Sequence, residues 1–341
     1  MREMSTVRMA SPFCDTWLYL PYTSRAFVAI TDSATRAWDI AFASLQLGAG
    51  DRILTTTSEY GANFIAYLQL AQRHGVEIDV VPDTASGEID VAALEAMIDQ
   101  RVKLISINHI PTNGGLVNPA AEVGRVANAA GIPYLLDACQ SVGQLPVDVG
   151  AIGCDFLSAT GRKFLRGPRG TGLLYMRREM VERVEPAVLD LWGATWVEAD
   201  RYEPRPDARR FELWEMNFAA KLGLRTAIEY ALDIGLDAIW RRVHGLGVGL
   251  RQRLRSIDGV VVHDIGSVQG GIVTFTVAGY SPDQVMGAMH QAEINVSVVT
   301  PGSARLDMEG RGLSGLVRAS MHYFNTDEEL DACAEVVAGH S

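Results

Sequence analysis

Lys163 stands in the run Ser158-Ala-Thr160-Gly161-Arg162-Lys163, beside a hydroxyl and a guanidinium. Thr160 and Arg162 suit a phosphate anion. A lysine held in a cleft next to them can condense with a carbonyl to give a Schiff base. The same residues could equally form a solvated basic turn, the commoner fate of Lys and Arg. The run continues as Phe-Leu-Arg166-Gly167-Pro-Arg-Gly170-Thr171-Gly172, whose glycine spacing is not a dinucleotide fingerprint, and the chain has no P-loop. Upstream, Tyr134-Leu-Leu-Asp137-Ala-Cys-Gln140 ends an apolar run on a carboxylate. At the carboxyl edge of a parallel sheet that carboxylate faces the place where ligands bind; the alternative is that Asp137 caps a following helix. Thr31-Asp-Ser33-Ala34-Thr35 puts small residues at a helix start. Free backbone N–H groups there make an anion seat, or Ser33 is an ordinary N-cap.

These residues need a frame to position them. Short apolar runs at 27–30, 52–56, 76–81, 102–108 and 134–137 alternate with helical patterns at 34–47, 63–74, 91–100 and 120–130. Such alternation predicts a mainly parallel sheet with right-handed crossovers. A strand-like 155–158 precedes the lysine loop. Residues 183–212 are expected to be irregular, and 217–232 a long helix. An α+β pattern follows, with helices at 244–257 and 282–291 and strands at 271–277 and 316–324. Thr326-Asp-Glu-Glu329 is a capping-box signature for a last helix. The boundary is placed near 228–240, giving a large α/β domain (1–228) and a small C-terminal α+β domain (229–341). On 316–324 a period of two puts Leu316, Arg318, Ser320 and His322 on one face and Val317, Ala319, Met321 and Tyr323 on the other.

Composition narrows the function classes. Of 341 residues 48% are hydrophobic, which excludes wholesale disorder. A net charge of −11 argues against a general nucleic-acid binder. The four cysteines, Cys14, Cys139, Cys154 and Cys333, have no CxxC spacing, so neither a zinc ribbon nor another metal site is expected. The first 25 residues carry Arg2, Glu3, Arg8 and Asp15 and no signal-peptide run. No spanning helix is expected, and the expected location is a reducing cytoplasm.

In this order the motifs resemble the class V aminotransferase family of fold type I pyridoxal-phosphate enzymes, whose members include cysteine desulfurases, isopenicillin-N-epimerase-like proteins and ergothioneine C–S lyases. The resemblance runs from about Phe27 to the C-terminus. It rests on Asp137-Ala-Cys-Gln140, Thr160-Gly-Arg-Lys163 and Gly167-Pro-Arg-Gly-Thr-Gly172. It implies a fold type I α/β architecture and pyridoxal 5′-phosphate as cofactor. Lys163 would form the Schiff base and Asp137 would pair with the ring nitrogen. Gln140 would contact the ring's phenolic oxygen, and Ala34, Thr35, Thr160 and Arg162 would hold the phosphate. Tyr60, in Glu59-Tyr60-Gly-Ala-Asn63, falls where many relatives stack a His over the ring, and Thr112 where desulfurases carry Asn. Arg318 matches the residue that binds the substrate carboxylate. The family also implies a homodimer, with the Gly167-to-Gly172 loop near the partner's phosphate.

The chain departs from the family in two places. The loop before Arg318 reads Val299-Thr-Pro-Gly-Ser303-Ala-Arg305-Leu-Asp, without the desulfurase cysteine, so persulfide chemistry is not expected. Relatives also usually carry a longer segment before Ser33-Ala-Thr35. The resemblance thus implies an enzyme that takes an amino acid as external aldimine and removes its Cα proton with Lys163. It leans to a C–S lyase or an aminotransferase; an amino-acid epimerase or a non-catalytic pyridoxal-phosphate-binding protein are the alternatives. A nicotinamide oxidoreductase lacks its glycine fingerprint.

Overall fold

The computed structural model describes residues 26–339. Cys14 and the charged N-terminal stretch lie outside them. Strands and helices alternate as β1 (Ala26–Thr31), α1 (Ala34–Ser44), β2 (Arg52–Thr56), α2 (Gly61–His74), β3 (Glu77–Val81), α3 (Val91–Ala96), β4 (Val102–Asn108), α4 (Ala120–Ala130) and β5 (Tyr134–Asp137). Next come α5 (Val149–Ile152), β6 (Phe156–Thr160), β7 (Gly172–Arg177) and α6 (Arg178–Arg183). The seven strands form one sheet in the order β1-β7-β6-β5-β4-β2-β3. β7 runs antiparallel to both β1 and β6, and the pairs from β6 through β3 are parallel. The reversal at β7 has a local reason: the loop 161–171 is too short for a crossover helix, and only antiparallel neighbours can be joined so directly.

Both faces of this sheet are covered, which is why its strands are nearly all apolar. Alternate residues enter two cores: Tyr134 and Leu136 pack with Ile105, Ile107, Leu157 and Ala159 on one face, while Leu135, Leu104 and Phe156 pack on the other with Trp38, Phe42 and Tyr67. This is the fold type I α/β arrangement expected above.

The second half contains β8 (Ala194–Glu198), β9 (Arg201–Pro204), α7 (Phe218–Ile234), α8 (Leu236–Arg255), β10 (Val260–Val262), β11 (Ile272–Val277) and α9 (Pro282–Gln291). It ends with β12 (Ser297–Val299), α10 (Arg305–Gly310), β13 (Leu316–Ser320) and α11 (Asp327–Ala338). An antiparallel sheet of order β10-β11-β13-β12 packs against α8, α9 and α11. Thr326 and Glu329 make the anticipated capping box.

Several expectations need correction. Residues 183–212 are not irregular throughout, because β8 and β9 pair as an exposed hairpin. α3 stops at Ala96 rather than reaching 100, since Asp99 turns back to accept from Arg101 N (2.8 Å) and pairs with Arg52 (2.8 Å). α8 starts at Leu236, well before 244, because Gly235 (φ 90°) closes α7 and opens α8 in a single corner. β13 ends at Ser320 rather than 324: Asn325 folds back, its Oδ1 accepting from His322 N at 2.7 Å. His322 and Tyr323 therefore leave the strand faces assigned to them. Among the described residues no helix is long and apolar enough to cross a membrane.

Candidate active site

The carboxyl ends of β4, β5 and β6 lie side by side, with Asn108 in register with Asp137 and Asp137 with Ser158. Further along the same edge Gly172 pairs with both Thr31 and Thr160. The three separate motifs therefore converge on one sheet edge. They line a cleft with about 530 Å³ of empty space, bounded by Ser33, Ala34, Thr35, Tyr60, Thr112, Asp137, Gln140, Thr160, Arg162 and Lys163. Asn108, Ile110 and Cys139 complete the lining.

Asp137 is buried at the tip of β5. A turn, not a helix, follows it, so the helix-capping alternative lacks its helix. Its Oδ1 accepts from Cys139 N (2.9 Å) and its Oδ2 from Asn63 Nδ2 (3.0 Å). Gln140 Nε2 donates to Thr112 Oγ1 at 3.3 Å. Arg318 reaches in from β13 and donates from one nitrogen to Thr112 O (2.9 Å) and Oγ1 (3.1 Å). Its Nε is buried with no hydrogen-bond partner among the described residues. Burial, and secondarily the nearby Arg162 charge, lowers the Arg318 pKa. An unpaired donor in a partly buried guanidinium is costly unless an anion completes it.

Lys163 opens the loop between β6 and β7 and is half-buried. Burial lowers its pKa, the charges of Arg162 and Arg318 lower it further, and Cys139 and Asp137 act the other way. The loop is pinned from outside. Arg166 N donates to Lys163 O (2.9 Å), and Arg166 itself sits at φ 59°, a left-handed conformation that costs a non-glycine about 1 kcal/mol. Its guanidinium donates to Tyr323 Oη (2.9 Å) and lies 5.3 Å from the rings of Tyr230, Tyr323 and Phe324. His322 Nε2 bonds Phe164 O at 3.0 Å. These contacts tie the lysine loop to the chain just beyond β13.

At the other end of the cleft, Ser33 caps α1 by accepting from Arg36 N (3.1 Å), so the ordinary N-cap is present, and Ala34 and Thr35 of the first turn line the cleft. Gly172 is required for this approach: a Cβ there would overlap the carbonyl carbon of Ser33. Thr160 Oγ1 donates to Thr171 O at 3.3 Å. Thr35 and Arg162 are exposed. The donor set fits pyridoxal phosphate: an amine and a carboxylate flank one chamber, and a helix N-terminus, a hydroxyl and a guanidinium gather beside it.

Sequence reasoning missed three groups. Glu59 is buried, and Asn63 donates to both Glu59 Oε1 and Asp137 Oδ2 at 3.0 Å each. Burial, then the Asp137 charge, pushes Glu59 up to about 7. Their signal was the i, i+4 spacing of Glu59 and Asn63 across the start of α2, a helix that begins two residues earlier than expected. Asn108 Oδ1 lies 3.3 Å from Thr56 Oγ1 and 3.2 Å from Ser58 Oγ, fixing the neighbouring strand end. The loop 300–303, where desulfurases carry their cysteine, abuts α2: a Cβ on Gly61 would overlap Gly302 O, beside Tyr60. Cys139 lines the cleft, but burial and Asp137 raise its thiol pKa well above the ordinary value. Burial pushes Cys333 up to about 11 and raises Cys154 as well.

The model of the family described as aminotransferase class-V matches residues 22–333. The chain belongs to the class V aminotransferase family. It is thus a pyridoxal-phosphate-dependent enzyme of that family. A probable cysteine desulfurase of Methanothermobacter thermautotrophicus is 31% identical over 315 residues, spanning 91% of this chain and 78% of the relative. A cysteine desulfurase of Yersinia pestis is 32% identical over 302 residues, 86% of this chain and 71% of the relative. The apo structure of a cysteine desulfurase from Thermococcus onnurineus superposes with a TM-score of 0.85 at 27% identity, covering 92% of this chain and 78% of that one. The epimerase alternative finds no support in these relatives.

Proposed function

We propose that this class V enzyme is a carbon–sulfur lyase: it removes the Cα proton of a sulfur-containing amino acid and breaks its C–S bond, without parking the sulfur on a protein cysteine. The observation that carries the reading is the gathering of Lys163, Asp137 and Arg318 around one cleft. The similarity to cysteine desulfurases supports sulfur substrates. The loop at 300–303 offers Ser303 and no thiol, and the three described cysteines are held as thiols.

Pyridoxal phosphate, when bound, supplies the electron sink for the pair left at Cα. Ala34, Thr35, Thr160 and Arg162 would hold its phosphate, Asp137 its ring nitrogen, Gln140 its phenolic oxygen, and Tyr60 would cover the ring. Arg318 binds the substrate carboxylate through the donors Thr112 does not use. Lys163, its proton affinity lowered by burial, takes the Cα proton. The C–S electrons leave with the sulfur, which departs as a thiol after accepting a proton. Transamination, the other leaning, would use the same residues and return the proton to the cofactor side.

The test is to add pyridoxal phosphate, follow the visible spectrum, and offer cysteine, cystine and S-alkylcysteines. Release of a thiol or sulfide together with a 2-oxo acid and ammonia is expected. Amino transfer to an added 2-oxo acid without C–S cleavage would overturn the lyase reading, and a band that no amino acid perturbs would point to a non-catalytic binder.

We propose three further features of the chain. The chain is taken to divide near 228–240, supported by the confinement of one sheet to residues before 178 and the other to residues after 259. A homodimer is supported by exposed Leu213, Trp214, Phe218 and Leu222, of which Leu213 lines a surface cleft with Gly170, and light scattering tests it. A cytoplasmic location is supported by the free state of Cys139, Cys154 and Cys333.

A further inference from the structure

Behind Asp137 lies a second buried carboxyl group that the proposed reaction does not use. Glu59 leaves no oxygen unpaired. Its Oε1 accepts from Tyr60 N (2.7 Å) and Asn63 Nδ2 (3.0 Å). Its Oε2 accepts from Thr55 Oγ1 (2.9 Å) and Tyr67 Oη (3.2 Å). The two sides differ chemically. The N–H donors on Oε1 cannot reverse, whereas hydroxyls can turn and accept. Tyr67 Oη also lies 2.8 Å from Ser106 Oγ, so it has another acceptor when it releases Glu59. The site can thus take a proton on Oε2 without moving the backbone. Asn63 uses its two N–H bonds on the two carboxylates, one each.

We propose that Glu59 is a positioning residue for Asp137: through Asn63 it fixes the orientation of the Asp137 carboxylate, and by gaining or losing its own proton it tunes how strongly Asp137 holds a protonated ring nitrogen. The inference rests on the pyridoxal-phosphate reading of the cleft. The titratable groups facing Glu59 are Asp137 from β5 and Tyr67 from α2; Trp38 and Phe42 of α1 pack on the Tyr67 ring. Beyond Asp137 stand Cys139 and Lys163, both of which respond to its charge. Burial and Asp137 place the Glu59 titration near 7, within reach of ordinary conditions.

Glu59→Gln is the clean variant, because its amide nitrogen can donate toward Thr55 and Tyr67, one of which the single O–H of the protonated carboxyl would also reach. Two readouts are needed. The first is thermal stability of the full chain against pH. A carboxyl raised from 4.5 to about 7 on folding contributes stability that is full below 4.5 and lost as pH rises through 7. The wild type should show this loss and Glu59→Gln should not. Comparing the two proteins removes the buried His109 and the half-buried His322, both pushed down to about 4, whose contributions run the opposite way.

The second readout is the visible spectrum of the loaded protein. The wild type should show an inflection near pH 7 that Glu59→Gln lacks. Asn63→Ala should weaken that inflection while keeping the stability slope. An inflection unchanged in Glu59→Gln, or identical stability profiles, overturns the proposal. The absence of any visible band in the wild type at every pH overturns the cofactor reading together with it, so the two failures are told apart.

Discussion

The two walls of the cleft are built on different terms. On the sheet wall, Asp137 is held by a backbone N–H and by Asn63, and Asn63 is anchored in turn by a buried carboxyl that has four donors of its own. On the facing wall, Arg318 arrives on a strand of the other sheet; among the described residues it bonds only Thr112 and keeps a buried Nε without a partner. The first wall is complete before any ligand arrives, as preorganised electrostatics requires. The second is left short of an anion, and a carboxylate would complete it. Under the proposed function, the cofactor belongs to the saturated wall and the variable substrate to the unsaturated one.

Variants can break this contrast, and the largest effect is expected at the lysine. Under the proposed function, Lys163→Ala removes both the covalent anchor and the general base. The borohydride-trapped adduct should vanish by mass spectrometry and turnover should fall by roughly 10⁴-fold or more. An adduct persisting on Lys221, which instead pairs with buried Glu212 at 3.5 Å, would move the site.

Asp137→Asn leaves the hydrogen-bond frame but removes the charge. Loss of one partner of a buried charged pair costs about 3–5 kcal/mol, so turnover should drop roughly a hundredfold to several thousandfold with some cofactor retained. Near-normal turnover would reduce the sheet wall to scaffolding.

Arg318→Lys keeps the charge and loses the fork. About 1.5–3 kcal/mol of charged hydrogen bonding is at stake, so KM should rise roughly ten- to a hundredfold with cofactor content unchanged. A change in cofactor content instead would erase the distinction between the walls.

The smallest effect is expected from replacing all four cysteines with Ala. The thiols of Cys139, Cys154 and Cys333 are held protonated and are poor nucleophiles, so activity per folded molecule should be unchanged. Loss of activity from one such change, with the circular dichroism intact, would restore a persulfide route.

Much of the sheet wall was legible in the sequence. Strands β2, β4 and β5 were delimited residue for residue, because each is a short apolar run with no competing helical period. Asp137 and Lys163 stood out as polar residues ending such runs. The substrate wall was less legible. The Arg318 strand ends early because Asn325, five residues past its last residue Ser320, folds back on His322, and α8 begins early because one glycine serves two helices. β10 and β12, three residues each, are too short to show a period of two.

Local residue order by itself determined the alternating α/β frame, the strand ends that carry Asp137 and the lysine loop, and the absence of a thiol at 300–303. Tertiary structure alone decided that Glu59 lies behind Asp137, that Thr112 joins Gln140 to Arg318, and that His322 and Arg166 clamp the lysine loop. The reason is physical. Periodicity and chain ends are local properties, whereas these contacts join residues far apart in sequence, and their proton affinities come from burial that exists only once both sheets have packed.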